Sequence, residues 1–145
     1  MRKIKRVLLW VVIALSAAQL YRPARTNPSS VPSESFAQSS GAPPETAAIL
    51  SRACGDCHSN QTVWPWYAKI APVSWLVARD VSGGRRRMNL SAWSTYDAAG
   101  QTRRKQAICR DARSGEMPPW FYMPLHAGSH LTAQEVSALC ALAGE

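Results

Sequence analysis

Residues 44–58 read PETAAILSRACGDCH, a run with Ala47, Ile49, Leu50 and Ala53 at helical spacing that ends in two cysteines and a histidine. Nothing else in the chain restricts its fold as much. Cys54 and Cys57 lie about one helical turn apart, so a helix presents both thiols on one side. His58 follows directly. Zinc sites, redox dithiols and covalent haem all use such a group. Zinc needs two further ligands at close spacing. Only Cys109, Cys140, His126 and His130 remain, all distant and none in a second paired motif. A dithiol of the thioredoxin kind needs a βαβ setting, and the chain has no alternating strand pattern. Covalent haem needs two thiols that can add to two vinyl groups, with a nitrogen beside them for the iron. A single motif implies a single haem c, bonded through Cys54 and Cys57, with His58 on the iron.

The second axial position in electron-transfer cytochromes is filled by methionine or histidine. The candidates are Met88, Met117, Met123, His126 and His130. Met117 sits in GEMPP, where Pro118 and Pro119 restrict the backbone and remove two N–H donors. A stiff loop presenting one thioether suits a ligand that moves little, so Met117 is the expected one. Met123 lies among bulky apolar residues and reads as packing. Met88 follows an arginine run. His126 and His130 read as surface or capping groups near the last helix. An open position is the remaining alternative.

The rest of the chain reads as helices and loops. Residues 72–82 suit a helix, with Pro72 in the first turn and Gly83-Gly84 as a stop. Residues 97–114 suit another, and the three prolines of GEMPPWFYMP then make a loop. Thr132 and Glu135 form a capping box before a last helix through Ala143. The expected fold is all-α, a small cytochrome-c-like helical domain around one haem.

Arg2, Lys3, Lys5 and Arg6 precede VLLWVVIALSAAQL. This is the pattern of an export signal, cleaved after Ala18 or kept as a short membrane anchor. The positive end stays inside and the remainder crosses, which places the domain on the periplasmic side of a bacterial inner membrane. Residues 22–44 are rich in Pro and Ser with one large apolar residue, Phe36, and read as a flexible tether. The expected division is residues 1–21 as signal or anchor, 22–44 as linker and 45–145 as the haem-binding domain.

The formal charge is +8. Residues 1–25 hold six cations and no anion, while residues 45–145 hold eleven cations and eight anions. The folded part is therefore only mildly basic, and no nucleic-acid partner is expected. Export also bears on the two cysteines left over. Cys109 lies beside Ile108 and Ala112, and Cys140 lies with Val136, Leu139 and Ala143, each on an apolar helix face. Outside the cytoplasm such a pair is expected to bridge; two buried free thiols are the alternative.

Five tryptophans and Tyr67 are many large aromatics for this domain. Trp64, Trp66, Trp75, Trp93 and Trp120, with Tyr67, are read as either a haem wall or ordinary core. Within Arg85-Arg86-Arg87, the last two read as a solvated face and Arg85 as the one suited to a haem propionate.

Taken together, QLYRPARTNP, CGDCHSNQTVWPWY, IAPVSWLVARDVSGGR, MNLSAW, GEMPPWFYMPLH and LTAQEVSALC resemble the haem-binding domain family of bacterial membrane-tethered monohaem c-type cytochromes. The resemblance spans nearly the whole chain. It implies covalent haem at Cys54 and Cys57, iron ligation by His58 and Met117 as distal ligand. The departures are small: Leu90 where Phe is usual, Ala127 after His126 where Pro is usual, and Met88 at an apolar position that favours packing. The expected function is one-electron transfer between redox partner proteins, without enzymatic turnover. The alternative is a haem enzyme or gas sensor with an open distal site.

Overall fold

A computed structural model describes residues 2–144. The described residues form helices and turns, with no strand among them. The first helix, α1 (Arg2–Ala18), has no buried residue. Its apolar side chains from Ile4 to Leu15 are between 44% and 68% exposed. Among the described residues no helix is long and apolar enough to cross a membrane.

The motif helix forms as its sequence suggests. It is α3 (Pro44–His58), with Pro44 in the first turn and Thr46, Ala47, Leu50, Ala53 and Gly55 on its buried side. Next comes α4 (Val73–Arg87), which packs against α3. It does not stop at Gly83-Gly84, contrary to the sequence reading. The two glycines stay helical, and Gly84 is buried at the crossing with α3. There the absence of a side chain matters more than the freedom to turn.

Helix α5 (Ala98–Ser114) is capped at its start by Asp97, whose carboxylate accepts from the Gly100 N–H at 2.7 Å. Gly115 ends it in the left-handed region, φ 73°. Helix α6 (Ala133–Ala141) ends two residues before the expected Ala143, and its capping box is complete. The Glu135 N–H donates to Thr132 Oγ1 at 3.2 Å, and the Thr132 N–H donates to Glu135 Oε2 at 2.8 Å. Cys109 and Cys140 are disulfide-bonded, with 4.4 Å between their Cα atoms, which joins α5 to α6.

The core is Phe36, Ala47, Leu50, Leu90, Trp93, Ile108 and Leu139. Phe36 meets Trp93 edge to face, with ring centres 4.7 Å apart. The Trp93 N–H is satisfied by Gln101 Oε1 at 3.1 Å. Trp93 is therefore a core residue and not a wall of the haem site.

Phe36 belongs to the stretch read as a flexible tether, and that reading needs correction. The stretch is a strap laid over the domain. It contains a one-turn helix, α2 (Phe36–Ser39), whose Phe36 is only 2% exposed. Ala42 also packs against the core, and polar contacts run both ways between strap and domain. Asn27 donates to Thr62 O at 2.9 Å and accepts from the Trp64 N–H at 3.2 Å. Arg25 donates to Ala68 O at 2.7 Å, and Asn60 donates to Ser29 O at 3.2 Å. Low apolar content hid these partners, because composition reports burial and not backbone pairing.

Candidate functional site

The last turn of α3 carries Cys54, Cys57 and His58 together. All three are half-buried, and both thiols are free. Gly84 makes room for this turn. A Cβ added there would stand 2.5 Å from the Cys57 carbonyl oxygen. The close crossing brings the end of α4 beside the histidine, where His58 Nδ1 lies 3.1 Å from Met88 O. A carbonyl can only accept, so Nδ1 carries the proton and the lone pair of Nε2 is left for a metal. Burial lowers the His58 pKa, opposed by the Met88 and Gly84 carbonyls. Burial thus favours the neutral imidazole that ligation requires, and the Met88 carbonyl sets its tautomer.

Burial pushes the Cys54 thiol up to about 12, with the neighbouring Cys57 adding to it. Cys57 is raised to about 11, first by burial and then by Asp80 and Asp56. A working redox dithiol needs the opposite, a thiol lowered toward neutrality. No group of three or more His, Cys, Asp or Glu among the described residues is placed to hold a metal ion.

Asp56, inside the motif, joins two loops to the site. Its Oδ2 accepts from Tyr122 Oη at 2.7 Å and its Oδ1 from the Val63 N–H at 3.0 Å. Its carbonyl accepts from Thr62 Oγ1 at 2.6 Å. Burial and the bond to Asp56 raise the Tyr122 pKa, so the phenol keeps its proton. Arg52, one turn earlier on α3, donates to the Gly128 carbonyl, to His130 O at 3.2 Å and to Glu135, with which it forms an ion pair.

These contacts grip the segment that carries Met117. The loop leaves α5 with the Met117 N–H donating to Asp111 O at 3.1 Å. The Asp111 carboxylate is near enough to act on the His58 imidazole. The structure brings the three motif residues together and places half-buried Met117 on the loop beginning there. Met123 lies half-buried further along. Met88 packs against the core, in keeping with its expected role. His126 is not the simple surface group expected. Its ring stacks on Tyr122 at 3.7 Å, and its Nε2 is 3.4 Å from Tyr67 Oη.

Arg85 also departs from expectation. It donates to Ser59 O at 2.7 Å, Thr26 O at 2.9 Å, Asn27 Oδ1 at 3.0 Å and Thr62 Oγ1 at 2.8 Å. It binds the strap to the loop after His58, and its donors are engaged by protein and not aimed at a propionate. Nothing in the sequence announced the roles of Asp56, Arg52 and Tyr122, since each is fixed by a partner far along the chain. Gly84 did carry a signal, a Gly-Gly pair inside a helical pattern, but turn and close approach read alike there.

The donor set suits a haem: a histidine whose Nδ1 is held by the Met88 carbonyl, and two free thiols on the same turn. The segments joined by Asp56 also carry exposed aromatic rings, with Trp66 73% and Trp120 77% exposed. No curated protein and no solved structure matches the chain significantly. The sequence pattern of the haem-binding domain matches residues 13–145, strap included, and the chain belongs to that haem-binding family.

Proposed function

We propose that the chain is an exported c-type cytochrome domain that passes single electrons between redox partner proteins. One haem c is bonded through Cys54 and Cys57, and its iron is held by His58 and Met117. The bound group supplies an iron that cycles between ferric and ferrous states. The observation that carries this reading is His58, oriented by the Met88 carbonyl beside two free thiols. His58 keeps its ring direction whatever the state of the iron. Asp56, Arg52 and Asp111 fix the Met117 loop at several points on α3 and α5, which limits rearrangement on electron transfer. With Met117 and His58 as its ligands, the iron would have a raised potential. The cations in the first turns of α1 and the apolar run that follows them support export and retention at the periplasmic face of the inner membrane.

The test is a visible spectrum of both oxidation states, taken on protein made with cytochrome c maturation machinery. A low-spin ferric spectrum, no rapid binding of carbon monoxide by the ferrous form, and haem that stays with the chain in acid–acetone support the carrier. Met117→Ala should turn the ferric form high-spin, while Met123→Ala leaves it unchanged. A high-spin wild type that binds carbon monoxide at once would favour the enzyme or sensor reading, and haem that passes into the solvent would exclude covalent attachment.

A further inference from the structure

The junction between α1 and the domain is not a hinge. Gln19, one residue past α1, bridges Ala71 in both directions: its Nε2 donates to Ala71 O at 3.1 Å and the Ala71 N–H donates to its Oε1 at 3.0 Å. The same Nε2 also donates to Leu15 O at 3.0 Å, within α1. Tyr21 then meets Trp75 edge-on at 6.0 Å, and the Trp75 N–H donates to Tyr21 O at 3.0 Å. The apolar helix therefore leaves the domain directly from the turn that starts α4.

That turn is rich in exposed apolar side chains: Ile70 is 47%, Val73 40% and Leu76 55% exposed. Trp75, with its N–H already bonded, presents ring surface beside them. Exposed Arg22, Lys69 and Arg79 surround the patch, with Asp80 as the acid on that stretch. A groove of about 370 Å³ between strap and α4, lined by Tyr21, Trp75, Arg79 and Ser82 among others, opens at the same place. Aromatic and apolar groups ringed by cations match the chemistry of a bilayer's interfacial layer.

We propose that the face formed by Ile70, Val73, Trp75 and Leu76 is a seat for a phospholipid bilayer surface. It rests on the reading that α1 enters the membrane. Continuity selects lipid over a protein partner. The helix that would enter the bilayer is bonded to Ala71, so the residues on either side of Ala71 reach the surface wherever α1 does. The 17 residues of α1 extend about 25 Å, against a hydrocarbon layer of about 30 Å, so no spare length lifts the domain away. The domain thus lies on the membrane in one orientation and does not swing on a tether.

The experiment uses full-length holoprotein in bacterial membranes, carrying Ile70→p-benzoylphenylalanine, Leu76→p-benzoylphenylalanine or, as a control on α5, Arg103→p-benzoylphenylalanine. Membranes are washed with alkaline carbonate before irradiation. Retention of the chain, with phospholipid adducts at positions 70 and 76 several-fold above position 103, supports the seat. Retention with equal adducts at the three positions overturns the seat and leaves membrane entry standing. Adducts to protein in place of lipid at 70 and 76 overturn it as well. Release of the chain by carbonate without lipid adducts overturns both.

Discussion

His58 Nδ1 lies 3.1 Å from the carbonyl oxygen of Met88, at the point where α4 has just ended. The histidine is oriented by backbone, which no side-chain substitution at position 88 removes directly. His58→Gly should therefore act on the iron alone. Covalent haem staining should persist through Cys54 and Cys57, the low-spin ferric spectrum should be lost, and added imidazole should restore it. An unchanged low-spin spectrum without imidazole would take His58 off the iron.

Gly84→Ala tests the crossing that brings Met88 to the histidine. The new Cβ would lie 2.5 Å from the Cys57 carbonyl oxygen and 3.2 Å from the Cys57 Cβ, so α3 and α4 must separate. The expected cost is about 1–3 kcal/mol by the scale of overpacked cores, with a fall in covalent haem yield. Gly83→Ala is the control. Its Cβ meets only Arg86 Nη2, at 3.9 Å, and replacing glycine inside a helix should stabilise by roughly 0.5–1 kcal/mol. Chemical denaturation of the two holoproteins should shift in opposite directions.

Gly84 and Phe36 show where the sequence was legible. Local signals gave α3, α5 and α6, because helical spacing and the Thr132–Glu135 box act within one or two turns. The grouping of Cys54, Cys57 and His58 on one turn was legible for the same reason, since they are neighbours in sequence. Misread features depended on remote partners. Phe36 looked isolated because Trp93 lies 57 residues away, and Arg85 looked available to a propionate because its partners lie in the strap and in the loop after His58.

Phe36→Ala therefore separates a docked strap from a loose linker. Phe36 is 2% exposed against Trp93, and removing a buried phenyl ring costs about 3–5 kcal/mol. The melting temperature of the holoprotein should fall markedly, and a protease should then cut within residues 22–35. An unchanged melting temperature would restore the flexible linker.

The Cys109–Cys140 bridge closes a segment with a sequence separation of 31 that holds the whole Met117 loop. Chain-entropy arguments give about 3–4 kcal/mol for a loop of this size. Cys109→Ser with Cys140→Ser should lower stability by about that amount, and thiol counting on the denatured, unreduced wild-type holoprotein should find none free. Two free thiols would mean that the bridge does not form in the holoprotein.

Glu135 gives the clamp on the Met117 segment a pH dependence with a definite sign. The Thr132 N–H, then its hydroxyl, then Arg52 hold the carboxylate below its usual range. A group with a lowered folded pKa contributes stability above its unfolded pKa and loses it as pH falls through the folded value. Glu135→Gln should therefore destabilise the protein at neutral pH, while wild type and variant converge below pH of about 4. The effect is modest because the pair is at the surface and screened by salt. Arg52 also binds the Gly128 and His130 carbonyls, so Arg52→Gln should cost more than Glu135→Gln at neutral pH. It should keep that excess in acid, where the carboxylate no longer contributes. Denaturation midpoints across the acid range decide the matter, and parallel curves for wild type and Glu135→Gln would show that the carboxylate takes no part in the clamp.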